Sequence, residues 1–255
     1  VRIVAIFVVG TILMRSAGCA LNDWADRKFD GEVKRTAMRP VASGEVSGRE
    51  ALIIAAVCAL IAACLLIPLH RTAQLWALPA LAIAALYPFT KRWFAIPQAI
   101  LGLAFSMGIP MAFAAVRNED LELAMILVAA NFFWVLAFDT EYAMVDRDDD
   151  LRIGIKTSAI FFGKYDVAAV AISYAAFLGI MVWVGVLNAS GDLYYAGLAV
   201  AAALAAHHVW LIRTRDRDQC FKAFRANNWL GLAVFTGVAL DLALRTGEWP
   251  RWYPV

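Results

Sequence analysis

Two short runs of acidic residues are the part of this sequence that could do chemistry. The first begins N-D-W-A-D-R-K-F-D at residues 22–30, and the second reads D-T-E-Y-A-M-V-D-R-D-D-D at residues 139–150. Each run follows a long apolar stretch and is followed by basic residues. Carboxylate and amide oxygens, with no Cys or His among them, suit Mg²⁺, which commonly shares its ligand shell with a phosphate. The two runs therefore predict a magnesium site that also holds an anion.

The spacing within each run supports this interpretation. On α-helical geometry, the polar oxygens of the first run span an arc of about 100°, and residues 139, 146 and 150 of the second span about 40°. Solvated loop charges beside a membrane are the alternative, but such charges need no regular spacing. The predicted metal ligands are Asn22, Asp23, Asp26, Asp30, Asp146 and Asp150.

Basic side chains near both runs indicate what the metals hold. An Asp near the centre of the hydrocarbon costs about 2.5–3.5 kcal/mol, so clustered carboxylates need cations between them. A bare metal site would not also need Lys and Arg, whereas a diphosphate would. The predicted diphosphate-binding residues are Lys34, Arg35, Arg39, Lys91, Arg92 and Lys156.

The elements that must position these residues are membrane-spanning helices. The 255 residues are 62% hydrophobic, with a mean hydropathy of +0.68, which exceeds what a soluble core of this length can bury. The apolar runs are continuous and rich in Leu and Ala, which favours helices over a barrel. We predict an all-α, polytopic membrane protein whose eight transmembrane helices lie near 3–21, 50–69, 73–90, 95–116, 121–140, 165–187, 193–212 and 228–245.

The charge distribution predicts the orientation in the membrane. Alternate connections, at 22–49, 91–94, 141–164 and 213–227, hold 17 of the 23 Lys and Arg residues. The positive-inside rule puts these connections, and both acidic runs, on the cytoplasmic side. The opposite side keeps Arg71, Arg117, Arg245 and Arg251, and Trp249, Trp252 and Tyr253 fit an interfacial belt there.

The two runs also predict an internal repeat. They lie four helices apart, and each leads through cations into another apolar span, as expected for two related halves that face each other across a cavity. The second acidic helix is preceded by the span at 95–116, whereas the first has no such partner. We therefore expect a further helix upstream of Val1.

The combination N-D-x-x-D-x-x-x-D, D-G-x-x-K-R-T-x-x-R-P and Y-A-x-x-D-x-x-x-D resembles the UbiA superfamily of intramembrane aromatic prenyltransferases. Y-P-F-T-K-R at 87–92, I-P-M-A-F-A-A-V at 109–116 and the stretch 139–160 resemble its bacterial 4-hydroxybenzoate polyprenyltransferase branch, which acts in ubiquinone biosynthesis. The resemblance covers essentially the whole chain as a single domain, residues 1–255. It implies nine helices around a central cavity, the first of them missing here with its R-P-x-G-type segment.

The resemblance implies two Mg²⁺ ions, bridged by the diphosphate of a polyprenyl diphosphate, and 4-hydroxybenzoate as the acceptor, in the bacterial inner membrane. The bilayer is the other expected partner, and no nucleic acid or obligate protein partner is predicted.

Asp139, on the same face as the second run, is the candidate base for the phenol or the ring proton, although it could equally support a metal ligand. Arg15, inside a span, is a candidate partner for a carboxylate or diphosphate, with snorkelling to the interface as the alternative.

Two other functions stay open at this point. A cation transporter also carries intramembrane carboxylates, but it would have them near the bilayer midplane rather than at helix ends beside cations. Another acceptor ring, such as a naphthoate, a haem or a chlorophyllide, would change the substrate and keep the chemistry.

His207 and His208 diverge by about 100° on a helix and cannot chelate one ion together, so buried hydrogen bonding is expected of them. The four cysteines form no CxxC pair and are interpreted as packing residues.

Overall fold

The regular structure is entirely helical throughout residues 2–116 and 120–246, which the computed structural model of the protein describes. Eight stretches are long and apolar enough to cross a membrane, which confirms the predicted all-α, polytopic fold. The ninth helix, expected upstream of Val1, stays a prediction. Part of the predicted side opposite the acidic runs lies outside the described residues, namely Arg117, Arg251, Trp249, Trp252 and Tyr253. The helices are α1 (Arg2–Asp26), α2 (Pro40–Ser43), α3 (Gly48–Leu66), α4 (Arg71–Thr90), α5 (Pro97–Ser106), α6 (Gly108–Val116), α7 (Leu121–Ile153), α8 (Ser158–Phe162), α9 (Asp166–Leu187), α10 (Asp192–Ile212) and α11 (Arg217–Thr246).

The outer surface of the bundle is apolar. Large side chains such as Ile53, Leu60, Ile172 and Phe235 are exposed. In water this surface would drive aggregation, whereas in a bilayer it faces acyl chains at no cost. The protein is therefore a multi-pass membrane protein.

Local sequence signals begin and end the helices that carry the acidic runs and their neighbours. Ser47 and Glu50 form a reciprocal capping box at the start of α3, with the Glu50 carboxylate 2.7 Å from the Ser47 amide. Pro97 is the first residue of α5, where its missing N–H costs nothing. Gly154 ends α7 in the left-handed region, with φ of 75°, which a residue with a Cβ rarely adopts.

The acidic runs extend two of the predicted spans. Helix α1 continues to Asp26 and α7 to Ile153, so residues 139, 146 and 150 do share one helix, as predicted. The prediction that one helical arc also includes Asp30 is wrong. Asp30 begins a 3-10 turn, Asp30–Glu32, because α1 has already ended. The predicted span at 95–116 is likewise two helices, α5 and α6, which are interrupted at Met107.

Helix α7 is the centre of the bundle. It packs against α5 and α6 on one side and against α9 and α11 on the other. Around it, α1 packs on α3 and α4, and α10 packs between α9 and α11. Glycines allow the closest of these contacts, since a Cβ at Gly197 would lie 2.8 Å from the Gly237 Cα. This order brings the C-terminal ends of α1, α4 and α7 to the same end of the bundle.

Candidate active site

The first acidic run meets a lysine that follows α4. Asn22 and Asp26 lie in the last turns of α1, and the Lys91 ammonium donates to the Asn22 amide oxygen at 3.1 Å and to the Asp26 carboxylate at 2.6 Å. Arg92 donates to the Ala25 carbonyl at 2.7 Å and lies 3.7 Å from Asp26. Asp26 is only 4% exposed, so these contacts replace the water that its carboxylate loses on burial.

Asp23 and Asp30 share a second cation. Arg39 Nη1 lies 2.9 Å from the Asp23 carboxylate and 3.2 Å from that of Asp30. Burial raises the pKa of Asp30 above its ordinary value, and Arg39 offsets that effect only in part. Burial also lowers the pKa of Arg39, but Asp30 and then Asp23 outweigh it, so that the pKa of this guanidinium is raised. One arginine therefore serves two carboxylates.

The second run turns its carboxylates toward the same place. Asp146 accepts hydrogen bonds from Nε and Nη2 of Arg35, whose guanidinium carbon lies 4.3 Å from the centre of the Tyr142 ring. Asp139 and Asp150 are buried and make no direct ion pair with any residue in the described part of the chain. Lys91 and Arg35 are nevertheless close enough to act electrostatically on both of them.

The two runs thus belong to one charged cluster at one end of the bundle. Arg35 comes from the connection after α1 and binds α7, while Lys91 follows α4 and lies between the two runs. The Lys156 amide donates to the Lys91 carbonyl at 2.9 Å, and its ammonium donates to the Trp93 carbonyl at 3.0 Å. Three of the four basic connections, at 22–49, 91–94 and 141–164, meet here. The end of α1 and the acidic part of α7 therefore lie in one cluster.

Three predicted residues lie at the margin of this cluster. Lys34 is exposed, and it acts electrostatically on the carboxylate of Asp149. Arg15 lies with its guanidinium carbon 5.7 Å from the centre of the Phe105 ring, within electrostatic range of Asp139. The guanidinium carbon of Arg92 lies 5.5 Å from the centre of the Phe29 ring and 5.5 Å from the centre of the Phe89 ring.

The remaining carboxylates of the second run serve other purposes. The Asp148 side chain is 73% exposed, and Asp149 accepts a hydrogen bond from Arg217 of α11 at 2.9 Å. A neighbouring ion-pair group, which sequence reasoning missed, joins the fully buried Asp166 to Arg147 at 3.3 Å and to Arg215 at 2.6 Å. Their spacing along the chain gave no signal, because Arg147 of α7, Asp166 of α9 and Arg215 of the connection after α10 are brought together only by packing.

The donor set suits a hard divalent cation, although it is not a preformed metal cage. No three Asp, Glu, His or Cys side chains of residues 2–116 and 120–246 are grouped closely enough to hold a metal by themselves. Instead the carboxylates of Asp26, Asp30 and Asp146 each contact a basic side chain. Buried oxygen donors that require positive charge are the ligands that Mg²⁺ takes, usually together with water and phosphate oxygens. The residues therefore fit magnesium that arrives with an anionic substrate.

Comparison with known proteins identifies relatives over nearly the whole chain. The model of the UbiA prenyltransferase family matches residues 1–232. A protein of Azoarcus sp. (strain BH72), named 4-hydroxybenzoate octaprenyltransferase, is 59% identical over 240 residues, which are 94% of this chain and 84% of that protein. A protein of the same name from Ralstonia nicotianae is 59% identical over 243 residues, which are 95% of this chain and 84% of that protein.

Solved structures share the fold. The apo structure of a UbiA homologue from Aeropyrum pernix K1 superposes with a TM-score of 0.84 at 25% identity and covers 95% of this chain and 90% of that one. A UbiA homologue from Archaeoglobus fulgidus, bound to GPP and Mg²⁺, superposes with a TM-score of 0.65 at 17% identity and covers 94% and 88% of the two chains. The second likeness concerns the fold alone.

Proposed function

Because this chain belongs to the UbiA prenyltransferase family, we propose that it transfers a polyprenyl group from a polyprenyl diphosphate to 4-hydroxybenzoate. The new bond forms at the ring carbon ortho to the hydroxyl, and diphosphate is released. The motif-based prediction of the family is confirmed by the family match. The substrate assignment is supported by relatives near 59% identity that bear the 4-hydroxybenzoate octaprenyltransferase name.

One observation carries the catalytic part of the proposal: buried carboxylates from α1 and α7 share a cluster with Lys91 and Arg35. An allylic diphosphate ionises when its carbon–oxygen bond breaks and negative charge builds up on the leaving oxygens. Preorganised cations that are aimed at those oxygens lower the barrier to that step. Lys91, Arg35 and Arg39 are partly buried and held in place by the carboxylates, so they need little reorganisation as the charge develops.

Magnesium, as two ions, would bind the oxygens of Asn22, Asp26, Asp30, Asp146 and Asp150, with Asp23 beside them, and would neutralise the departing diphosphate. Binding would draw the basic side chains from the carboxylates toward the phosphate oxygens, because the anion is then their strongest partner. We assign this diphosphate-binding role to Lys34, Arg35, Arg39, Lys91, Arg92 and Lys156.

The second half of the reaction joins the allylic cation to the aromatic ring. The electron-rich carbon ortho to the phenol attacks the cation, a carbon–carbon bond forms, and the ring loses one proton. Asp139 lies on the face of α7 that carries Asp146 and is buried, which supports its assignment as the group that takes the phenol or ring proton. Arg15, within electrostatic range of Asp139, is the proposed partner of the acceptor carboxylate. Water has little access to a site between membrane helices, so the cation is not hydrolysed.

The orientation that we propose puts this cluster at the cytoplasmic face of a bacterial inner membrane, where water-soluble 4-hydroxybenzoate and Mg²⁺ are available. The basic connections at that end of the bundle support it. The reaction would then attach the membrane anchor to the ring in ubiquinone biosynthesis.

The test uses the chain in membranes that receive a polyprenyl diphosphate, Mg²⁺ and 4-hydroxybenzoate. We expect release of pyrophosphate together with a lipid whose mass equals that of the acceptor plus the prenyl group minus one hydrogen atom. Mass spectrometry of that lipid identifies the acceptor and the tail length together. Pyrophosphate release with a naphthoate but not with 4-hydroxybenzoate would change the acceptor. No release with any acceptor, combined with cation flux, would favour a transporter.

A further inference from the structure

Four polar side chains are buried in the second half of the bundle, away from the charged cluster. They are Glu141 of α7, Tyr174 of α9, His208 of α10 and Asn227 of α11, and we call them the buried tetrad. Their exposed fractions are 0%, 2%, 0% and 5%. Glu141 contacts no basic side chain within residues 2–116 and 120–246, which is unusual for a buried carboxylate.

The Tyr174 hydroxyl is the centre of the buried tetrad. Its oxygen lies 2.9 Å from Glu141 Oε1, 2.9 Å from Asn227 Oδ1 and 3.2 Å from His208 Nδ1. The Asn227 amide nitrogen donates to Glu141 Oε2 at 2.9 Å. A tyrosine hydroxyl has one hydrogen to donate, so the other two contacts need hydrogens from its partners.

The orientation of the Asn227 amide is fixed by two groups outside the buried tetrad. The Trp134 indole N–H, which can only donate, lies 3.0 Å from Asn227 Oδ1. The Ala223 carbonyl, which can only accept, lies 3.2 Å from Asn227 Nδ2. Asn227 Oδ1 is therefore an acceptor, and Tyr174 must donate its single hydrogen to it.

The hydrogen between Glu141 and Tyr174 then has to come from Glu141. An ionised carboxylate would bring two lone-pair oxygens together at 2.9 Å in a buried, low-dielectric site. A protonated carboxyl donates to the tyrosine oxygen instead. The remaining lone pair of that oxygen accepts from Nδ1–H of His208. Nε2 is then the bare nitrogen of a neutral ring, and it is a buried atom with no partner in the described part of the chain.

We propose that Glu141 is held as a neutral carboxylic acid and that the buried tetrad is a positioning clamp on the back of α7. Residues 139 and 141 differ by about 200° on a helix, and 150 and 141 by about 180°, so the clamp faces away from the carboxylates of the site. It joins α7 to α9, α10 and α11 and thereby fixes the rotation at which α7 presents Asp139 and Asp146. This consequence for prenyl transfer rests on the proposed function, whereas the protonation state does not.

The titratable groups that face Glu141 are few. Tyr174 approaches from α9, His208 from α10, and the buried Cys220 thiol of α11 lies within electrostatic range. His207 points outward, where it stacks on Trp210 at 5.8 Å. Tyr174 and His208 are both neutral in the assigned hydrogen-bond pattern.

The substitution E141Q tests the protonation state. A glutamine amide donates to Tyr174 and accepts from Asn227, as a protonated glutamic acid does. Infrared difference spectra of the full chain in membranes, wild type minus E141Q, should show one carbonyl band of a protonated carboxylic acid near neutral pH. The matched control, E122Q, replaces an exposed glutamate at the start of α7 and should remove no such band. Loss of an ionised carboxylate band in E141Q would overturn the proposal.

Stability and transfer test the clamp. E141Q should melt within a few degrees of the wild type, and E141A should melt clearly lower, since it leaves the Tyr174 hydroxyl and the Asn227 amide each one hydrogen bond short. On raising the pH, the wild type should lose stability as Glu141 ionises, and E141Q should lack that loss. Prenyl transfer should survive in E141Q and fall at least about tenfold in kcat in E141A, with KM for Mg²⁺ unchanged. Equal melting and equal transfer in E141Q and E141A would refute the clamp, and failure of transfer in all variants and in the wild type would refute only the proposed function.

Discussion

The Arg35 guanidinium binds the Asp146 carboxylate through Nε at 2.9 Å and through Nη2, although 111 residues separate the two in the chain. The guanidinium also lies on the Tyr142 ring, one turn before Asp146. This pair ties the connection that follows the first acidic helix to the helix that carries the second acidic run. Together with Lys91, which lies between the two runs, Arg35 thus links the two halves of the site.

Replacement of Arg35 by lysine should be far from conservative. Lysine has neither the fork that grips a carboxylate nor the flat surface that stacks on a ring. We expect R35K to lower kcat/KM for polyprenyl diphosphate by roughly 100-fold, as for loss of one preorganised donor. Arg49 is the control, because it is an exposed cation in the first turn of α3, and R49K should stay near the wild type. Equal rates in R35K and R49K would exclude Arg35 from the site.

Neutralising Asp26 should raise the requirement for Mg²⁺. D26N keeps the shape of the side chain and its contact with Lys91 but removes the charge that attracts a cation. We expect the Mg²⁺ concentration for half-maximal transfer to rise at least about tenfold, with lower turnover at saturation. Asp148, whose side chain is 73% exposed, gives the control D148N, which should change neither value. Mg²⁺ titrations of pyrophosphate release measure both, and an unchanged requirement in D26N would remove Asp26 from the predicted ligands.

Asp139 should matter for turnover and little for magnesium. If it takes the proton, D139N should lower kcat by about 10²–10⁴-fold and leave the Mg²⁺ requirement as it is. The part of the acidic limb of the pH–rate profile that protonation of Asp139 produces should disappear with it, since an asparagine at this position cannot take a proton. Intact turnover with weakened Mg²⁺ dependence would instead give Asp139 a supporting role in metal binding.

Asp166 should be a stability residue rather than a site residue. Its carboxylate is fully buried between Arg147 and Arg215, and D166A would leave two guanidinium groups without their partner. We expect a loss of about 3 kcal/mol in the free energy of unfolding, the size typical of a broken buried ion pair. D192A removes an exposed acidic residue at the start of α10 and should cost little. Chemical denaturation in detergent compares the two, and an unchanged midpoint in D166A would contradict this prediction.

Sequence reasoning predicted what depends on long, regular patterns. Apolar runs near 20 residues determine the spans, and the seven- and four-residue spacing of Asp139, Asp146 and Asp150 follows from an unbroken helix. It failed where the chain leaves the helix, as at Asp30, because a turn there depends on the Thr36 hydroxyl, which donates to the Asp30 carbonyl at 2.9 Å. It also missed the buried tetrad and the Asp166 group, whose partners are distant in the chain and are chosen by helix packing.

The length of α7 has a consequence for the membrane. Its 33 residues extend about 50 Å, whereas the hydrocarbon layer is about 30 Å thick. The apolar half of the helix fills that layer, so Asp139 and the residues after it emerge at the level of the lipid headgroups. An amphiphilic substrate has its polar end among the headgroups and its tail among the acyl chains. Its polar end therefore lies at the same depth as Asp139 and need not move across the bilayer to reach the site. Lipids with longer or shorter acyl chains change the thickness of the hydrocarbon layer. They should therefore shift the depth of Asp139 relative to the polar end of the substrate and change the turnover rate.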